Sequence, residues 1–427
     1  MRKSRSAGRR RTSEASSIKA QAIPTLTLDQ VRSFWAENQG ILVRLGGNIS
    51  EVIRRTGWIY SSGGAGPYLA VRARRPGCTR AELDRAVFVE ENVVEIPSVR
   101  GCTMLVPTED AALALHSAKS VFESHISKVA TACKISPGEI ADLTRAVSTV
   151  LKGGALSSER LREILPKALV RPLGEAGRKF GENWNLSVVL RKMLTEGIIR
   201  RIATEKRLDG GEFCYRLCTE RPAKEPSREE ACLHLAHRFF LWAAPATIKE
   251  FAWWAHVSQR EAKSAVERLN LQRLSIVETT PEAWISAEQL DRLRAIDPGR
   301  YQESVSLLPG RDNYLYFRRG LTFFLREADA EIKALDIRNE LVSLSEQDNL
   351  HHNAILQGGL LAGAWEFDPD EMRIVWKTWS GLSAGLRKSL ISKIQDLEQF
   401  IRAELGDAAF YSFDRGSRRR ERIDSLR

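Results

Sequence analysis

Residues 247–269 read TIKEFAWWAHVSQREAKSAVERL, and they contain two helix-start signals. Thr247 with Glu250 and Ser258 with Glu261 each fit the S/T-x-x-E capping box, in which two side chains satisfy the free amides of a helix start. Two helices are therefore expected to begin about eleven residues apart, with a tight break between them. In the second helix, apolar residues recur at helical spacing at Ala262, Ala265, Val266 and Leu269. This pattern is typical of a helix-turn-helix.

The outer face of the second helix is polar and basic, and it carries Gln259, Arg260 and Lys263. Such a face can read base edges in the major groove of double-stranded DNA. It is also what an ordinary solvent-facing helix shows. The pattern alone leaves both interpretations open.

A second unit of the same kind is predicted over residues 131–222. A helical stripe ends before Gly197, and residues 198–203 and 213–217, separated by Asp209-Gly210-Gly211, predict a β-hairpin. A hairpin after a helix-turn-helix is a wing. Basic residues on the wing and on the helix before it predict phosphate contacts with DNA. These residues are Arg191, Lys192, Arg200, Arg201, Lys206 and Arg207.

The first unit is predicted over residues 23–130. Thr27 with Gln30 and Thr79 with Glu82 again fit capping boxes, and two strands are predicted near residues 93–96 and 102–106. The glycine-rich segment 57–67 lacks both the phosphate-loop and the dinucleotide-binding spacing. It is expected to be a loop whose backbone another group can approach closely, because glycine has no side chain.

The fold class predicted from these patterns is α+β, mainly α. Three tandem winged-helix units, at 23–130, 131–222 and 223–300, precede a smaller α+β domain at 301–414. In that last domain, a hairpin at 353–367, a third strand at 372–379 and a long helix from residue 386 are expected.

The formal charge of +11 lies mostly at the two ends of the 427-residue chain. Residues 1–22 hold +6 and residues 415–427 hold +4, which leaves about +1 for the rest. Both ends are predicted to be solvated basic tails that attract phosphate without sequence preference, and residues 1–22 are predicted to be disordered.

Other functional classes fit the sequence less well. No apolar stretch approaches the roughly 20 residues of a membrane span, and no secretory signal is apparent, so a cytoplasmic location is expected. Six scattered cysteines favour reduced thiols. Cys214, Cys218, His234 and His237 loosely match a zinc spacing, but strand and helix patterns explain them better. No metal or cofactor is predicted, and a monomer is favoured.

Several segments together resemble the AlkZ/YcaQ family of winged-helix DNA glycosylases. Residues 57–74 resemble its glycine, Gln-x-Gln and Ala/Leu-rich helix pattern, and residues 100–107 resemble its Arg-Gly-Thr-Leu-His-Leu-Val strand. Residues 235–258, 307–312 and 363–365 are also similar. The resemblance implies a concave DNA-binding surface and excision of alkylated or crosslinked purine bases.

The chain departs from this family where the chemistry is expected. Tyr60, Ser61 and Ser62 stand at the Gln-x-Gln positions, and Met104 stands at the histidine of the strand. Hydroxyls can hold a water, but they carry no negative charge to stabilise an oxocarbenium-like sugar. Three hypotheses follow: a glycosylase with its site at Tyr60 to Ser62, a noncatalytic DNA-binding lesion sensor or transcriptional regulator, and a scaffold that binds protein.

Overall fold

The computed structural model describes residues 25–218, 226–277, 282–411, 414 and 416–427. The predicted disordered tail at 1–22 lies outside these ranges. Within them, no helix combines the length and the apolar character that a membrane crossing needs.

The N-terminal part holds a small antiparallel sheet among five helices. Both capping boxes predicted for it, at Thr27 and at Thr79, are confirmed. The sheet has the order β2-β4-β3. The elements are β1 (Thr25–Leu26), α1 (Leu28–Asn38), α2 (Ile49–Thr56), β2 (Ile59–Tyr60), α3 (Gly66–Arg74), α4 (Arg80–Phe88), β3 (Val93–Pro97), β4 (Thr103–Pro107) and α5 (Ala111–Ala132).

The next part contains the predicted wing. The hairpin is confirmed, with Arg200 opposite Arg216 and Arg201 opposite Tyr215. Gly197 has φ +65°, as a left-handed helix cap requires. The elements are α6 (Pro137–Leu151), α7 (Ser158–Ile164), α8 (Gly174–Arg178), α9 (Asn185–Thr195), β5 (Ile199–Ala203) and β6 (Phe213–Leu217).

The third part confirms the helix pair at 247–269, including both capping boxes. Two antiparallel strands follow the pair, and the first of them also pairs in parallel with β1. The elements are α10 (Arg228–Ala243), α11 (Ile248–Ala255), α12 (Gln259–Glu267), β7 (Leu271–Ile276), β8 (Ala283–Ser286) and α13 (Ala287–Arg294).

The C-terminal part is built on a four-stranded antiparallel sheet of order β14-β13-β12-β9. The predicted hairpin, third strand and long helix are all confirmed. The elements are β9 (Val305–Leu308), α14 (Asn313–Tyr316), β10 (Lys333–Leu335), β11 (Leu341–Ser343), β12 (Asn353–Gln357), β13 (Leu360–Asp368), β14 (Arg373–Thr378), α15 (Ala384–Phe400), which continues as a π-helical turn at Ile401–Leu405, and α16 (Ser417–Asp424).

The hydrophobic core is shared among three of these parts. One cluster joins Trp58 of the first part, Trp242 and Trp254 of the third, and Phe317 of the last. The second part has a core of its own, around Leu143 and Met193. The chain is therefore a mixed α and β protein, and its division into three winged-helix units stays a prediction.

Residues 416–427 differ from the solvated tail that the sequence predicts. They include α16, and Ile423 of this helix packs with Leu426, just after it, against Ala364 and Val375. Two of the tail arginines are buried in ion pairs, Arg419 with Asp407 and Arg422 with Glu366 and Asp414. The acids come from earlier parts of the chain, so the local charge count could not reveal them.

Candidate functional site

The glycine-rich segment 57–67 runs from α2 through β2 to α3. At Gly64, an added Cβ would lie 2.4 Å from the Ala409 carbonyl oxygen and 2.5 Å from Phe410. Residues 409–410 therefore lie directly against the loop. This is the close approach that the sequence predicts for it.

The first sheet turns the predicted catalytic residues to two different faces. Tyr60 and Ile96 are the cross-strand partners of Met104, whereas Ile59 and Glu95 are the partners of Leu105. Cross-strand partners share a face, and successive side chains alternate. We call one side the Tyr60 face, and the side chain of Ser62 points to the same side. We call the other the Glu95 face, and Ser61 points to that side.

On the Tyr60 face, the polar groups are bonded within the protein. Arg311 Nη1 donates to Tyr60 Oη at 2.5 Å, and Ser62 Oγ donates to the Phe410 carbonyl at 3.2 Å. Met104 is buried and offers no hydrogen bond. A small pocket beside Tyr60 and Arg311 measures about 10 Å³, which is space for about one water molecule.

On the Glu95 face, Ser61 meets a carboxylate. Ser61 is buried, and its Oγ donates to Glu95 Oε1 at 2.5 Å. Arg201 approaches from the wing, with Nη2 3.8 Å from Glu95 Oε2 and 3.4 Å from Thr103 Oγ1. The Glu95 side chain keeps 17% of its surface exposed. The negative charge that the hydroxyls lack is therefore present beside one of them.

Sequence reasoning did not find Glu95, although one signal was available. Glu95 is the charged residue in the apolar run Val93-Val94-Glu95-Ile96. A carboxylate in such a strand needs partners when it folds. Those partners, Ser61 and Arg201, lie 34 and 106 positions away along the sequence.

A cavity of about 350 Å³ lies between the first sheet and the wing. This volume falls within the range of small-molecule sites. Acidic and basic side chains share its wall with apolar ones. Its lining includes Val87, Phe88, Glu91, Glu95, Arg200, Arg201, Cys214 and Arg216.

Most basic residues predicted to contact DNA in the second part are ion-paired. Glu91 binds both Arg200, at 2.6 Å, and Arg216, at 2.9 Å. Arg207 binds Asp209 at 2.8 Å. Arg191 pairs with Glu182 at 2.8 Å, and Lys192 pairs with Glu196. The patch counted in the sequence therefore carries less net charge than its arginines suggest.

Other predicted contacts are open to solvent. Lys206, at the turn of the wing, is exposed and has no ion pair with a residue that the structure describes. Gln259 and Arg260 are exposed at the start of α12, and Lys263 is exposed with Glu267 at 3.8 Å. These side chains are free to reach a ligand.

His351 packs its ring edge-on against Phe410, whose carbonyl accepts from Ser62, at 6.2 Å between ring centroids. Burial and the neighbouring charge of Arg422 lower the pKa of His351 to about 4. The imidazole is therefore neutral at physiological pH. Across the described ranges, no group of three or more His, Cys, Asp or Glu side chains is arranged to hold a metal ion.

Comparisons with known proteins give one family and one similar fold. A family model described as "DNA glycosylase AlkZ-like" matches residues 53–400, a range that includes Tyr60, Glu95 and Arg311. Among solved structures, the fold is similar to that of Streptomyces sahachiroi DNA glycosylase AlkZ, with a TM-score of 0.67 and 17% sequence identity over 88% of this chain and 97% of that chain. No curated protein matches the sequence.

Proposed function

The chain belongs to the family of AlkZ-like DNA glycosylases, and from that premise we propose that it binds duplex DNA and releases alkylated purine bases by hydrolysing the N-glycosidic bond. The observation that carries the proposal is the hydrogen bond between Ser61 and Glu95 at the wall of the 350 Å³ cavity. Glu95 supplies a carboxylate beside the positions where this chain lacks the glutamine pair of the family pattern.

The proposed reaction uses the positive charge of an N7-alkylated purine. The bond between C1′ and N9 breaks, its electron pair goes to the base, and the base leaves as a neutral molecule. The sugar becomes oxocarbenium-like, which a nearby carboxylate stabilises. Water adds to C1′, and Glu95 accepts its proton. To reach the cavity, the damaged nucleotide must leave the base stack.

Two neighbours position Glu95 for this role. Ser61 donates to one carboxylate oxygen, and Arg201 approaches the other. Both fix the carboxylate without contacting the reacting atoms. We assign Ser61 and Arg201 as positioning residues and Glu95 as the catalytic residue.

Duplex DNA is proposed to lie across the predicted winged-helix units. The exposed residues Lys206, Gln259, Arg260 and Lys263 supply its contacts. The ion-paired residues Arg191, Lys192, Arg200 and Arg207 contribute where a phosphate displaces a carboxylate partner, whereas Arg201 stays beside Glu95.

A second candidate function is noncatalytic DNA binding by a lesion sensor or transcriptional regulator. The crowded Tyr60 face favours it, because Tyr60 accepts from Arg311, Ser62 donates to the Phe410 carbonyl, and the pocket beside Tyr60 has space for about one water molecule and none for a base. This candidate predicts binding without base release.

The deciding experiment measures free base released from a duplex containing N7-methylguanine. We expect release by the unchanged protein and a loss of about 100-fold or more in Glu95→Gln, as general-base removal gives. Glu90→Gln is the matched control, since Glu90 is exposed and does not line the cavity. Binding of this duplex without any release by the unchanged protein would select the noncatalytic candidate.

A further inference from the structure

Two arginines contact aromatic rings: Arg100 in the turn between β3 and β4, and Arg311, which also bonds to Tyr60. The Arg100 guanidinium lies 4.2 Å from the Trp253 ring centroid and 4.8 Å from that of Tyr316. Arg311 lies 5.0 Å from the Tyr60 ring centroid. All five residues are partly exposed to solvent. Together they form the ring-arginine cluster.

The cluster differs from the wing in its charge balance. Neither Arg100 nor Arg311 forms an ion pair with any carboxylate in the part of the chain that the structure describes. Arg100 Nη1 is buried with no hydrogen-bond partner there, and Arg311 makes one hydrogen bond, to Tyr60. A guanidinium carries several N–H donors in a planar fork, so most of this capacity is unused.

Both arginines are also held in an uncommon backbone conformation. Their φ angles are +60° and +63°, in the left-handed region that non-glycine residues seldom adopt. Such strain is concentrated at binding and catalytic sites.

The two guanidinium groups act on the same neighbourhood. Burial raises the pKa values of Cys102 and Tyr316, and the positive charges of Arg100 and Arg311 oppose both rises. Geometry agrees, because the ring of Tyr316, which Arg100 contacts at 4.8 Å, belongs to the short helix α14 that begins two residues after Arg311. An anion with planar or tetrahedral oxygens would satisfy both guanidinium groups.

We propose that the ring-arginine cluster binds a phosphate of DNA, with Arg100 and Arg311 as its ligands and the aromatic rings as their support. The identity of the phosphate as a DNA phosphodiester rests on the proposed function. Arginine suits this ligand because its fork matches phosphate oxygens in a bidentate contact. Tyr60 belongs both to the cluster and to the glycine-rich segment 57–67, so the proposed contact would hold the DNA strand beside that segment.

The first test measures affinity for an undamaged duplex as a function of salt. Each lost phosphate contact lowers the slope of log K against log salt by about 0.9. Because the two arginines share one phosphate, we expect this full reduction when Arg311→Gln and Arg100→Gln are combined, and a partial reduction in each single variant. Arg145→Gln is the matched control, because Arg145 is exposed on α6 and pairs with Asp142. Unchanged slopes in both folded variants would overturn the proposal.

A second test avoids variants, in case one of them does not fold. Phenylglyoxal modification of the unchanged protein, mapped by mass spectrometry, should be reduced at Arg311 by duplex DNA but not at Arg145. Equal modification of Arg311 with and without DNA would refute the proposal. Protection by inorganic phosphate alone, with none by DNA, would assign the cluster to a small anion and would also refute it.

These readouts separate the two proposals. They use undamaged DNA and require no base release, so a failed Glu95 experiment leaves them valid. Conversely, the unchanged protein could release base while neither substitution alters the salt slope. That result would support the proposed function and refute phosphate binding by the ring-arginine cluster.

Discussion

The two faces of the first sheet give adjacent residues very different surroundings. On the Glu95 face, Ser61 contacts a carboxylate, and carboxylates balance the wing arginines. On the Tyr60 face, Ser62 contacts a backbone carbonyl, and Arg311 contacts a phenol and rings with no carboxylate partner among the described residues. The comparison shows that the chemistry of a short motif depends on the side chains that distant segments of the chain place beside it.

The largest effect is expected beneath the Tyr60 face, where Arg74 and Asp312 form a buried bidentate ion pair. Asp312 follows Arg311 directly, so this pair anchors the turn that carries it. Arg74→Met should lower the free energy of unfolding by about 3–5 kcal/mol, because Asp312 would remain buried and uncompensated.

Urea denaturation measures this effect. Arg54→Met is the control, since the Arg54 pair with Glu109 is exposed and is expected to contribute about 1 kcal/mol or less. Equal decreases in the free energy of unfolding of the two variants would show that the buried Arg74–Asp312 pair stabilises the protein no more than an exposed pair does.

The next largest effect is expected in the salt dependence of DNA binding, when wing arginines lose their carboxylate partner and become unpaired like Arg311. Glu91→Gln removes the partner of both Arg200 and Arg216 and frees two positive charges beside the cavity. If DNA phosphates lie within reach, the salt slope of DNA binding should steepen by about 0.9 for each new contact. Glu90→Gln serves as the control. An unchanged slope would place the wing arginines away from the DNA backbone.

The smallest effect is a pH dependence at His351. Its pKa is lowered to about 4 by burial first and then by Arg422 and His352, with Arg311 acting in the same direction and Glu366 opposing. In the unfolded chain His351 takes up a proton near pH 6.5, whereas in the folded protein it does so only near pH 4. Stability should therefore fall as pH drops from about 6.5 to 4.

Thermal unfolding at several pH values measures this dependence. His351→Gln should reduce the loss of stability over that window, since the replacement does not titrate. An identical pH dependence in the variant would show that other groups cause it.

Local features of the fold could be predicted from the sequence. The capping boxes at Thr247 and Ser258 and the wing hairpin are set by residues a few positions apart, and all are confirmed. Hydrophobic spacing likewise predicted α9, α12 and α15, which are confirmed. These signals act over short stretches of chain, where propensity and pattern agree.

Features that depend on distant partners could not be predicted in this way. The charge count treated Arg419 and Arg422 as solvated positive charges, but both are buried in ion pairs. Their partners are the carboxylates of Glu366, Asp407 and Asp414. Glu95 was missed for the same reason. An ion pair depends on three-dimensional contact, which a charge count along the chain does not contain.

The central claim is tested most directly by comparing Ser61→Ala with Ser62→Ala in single-turnover release of N7-methylguanine at saturating protein. A hydrogen bond to a charged group is worth about 1.5–3 kcal/mol, so Ser61→Ala should slow release by about tenfold or more. Ser62→Ala should leave the rate within about threefold, since its lost partner is a neutral carbonyl. A slow Ser62→Ala with an unaffected Ser61→Ala would contradict the account and return the chemistry to the Tyr60 face.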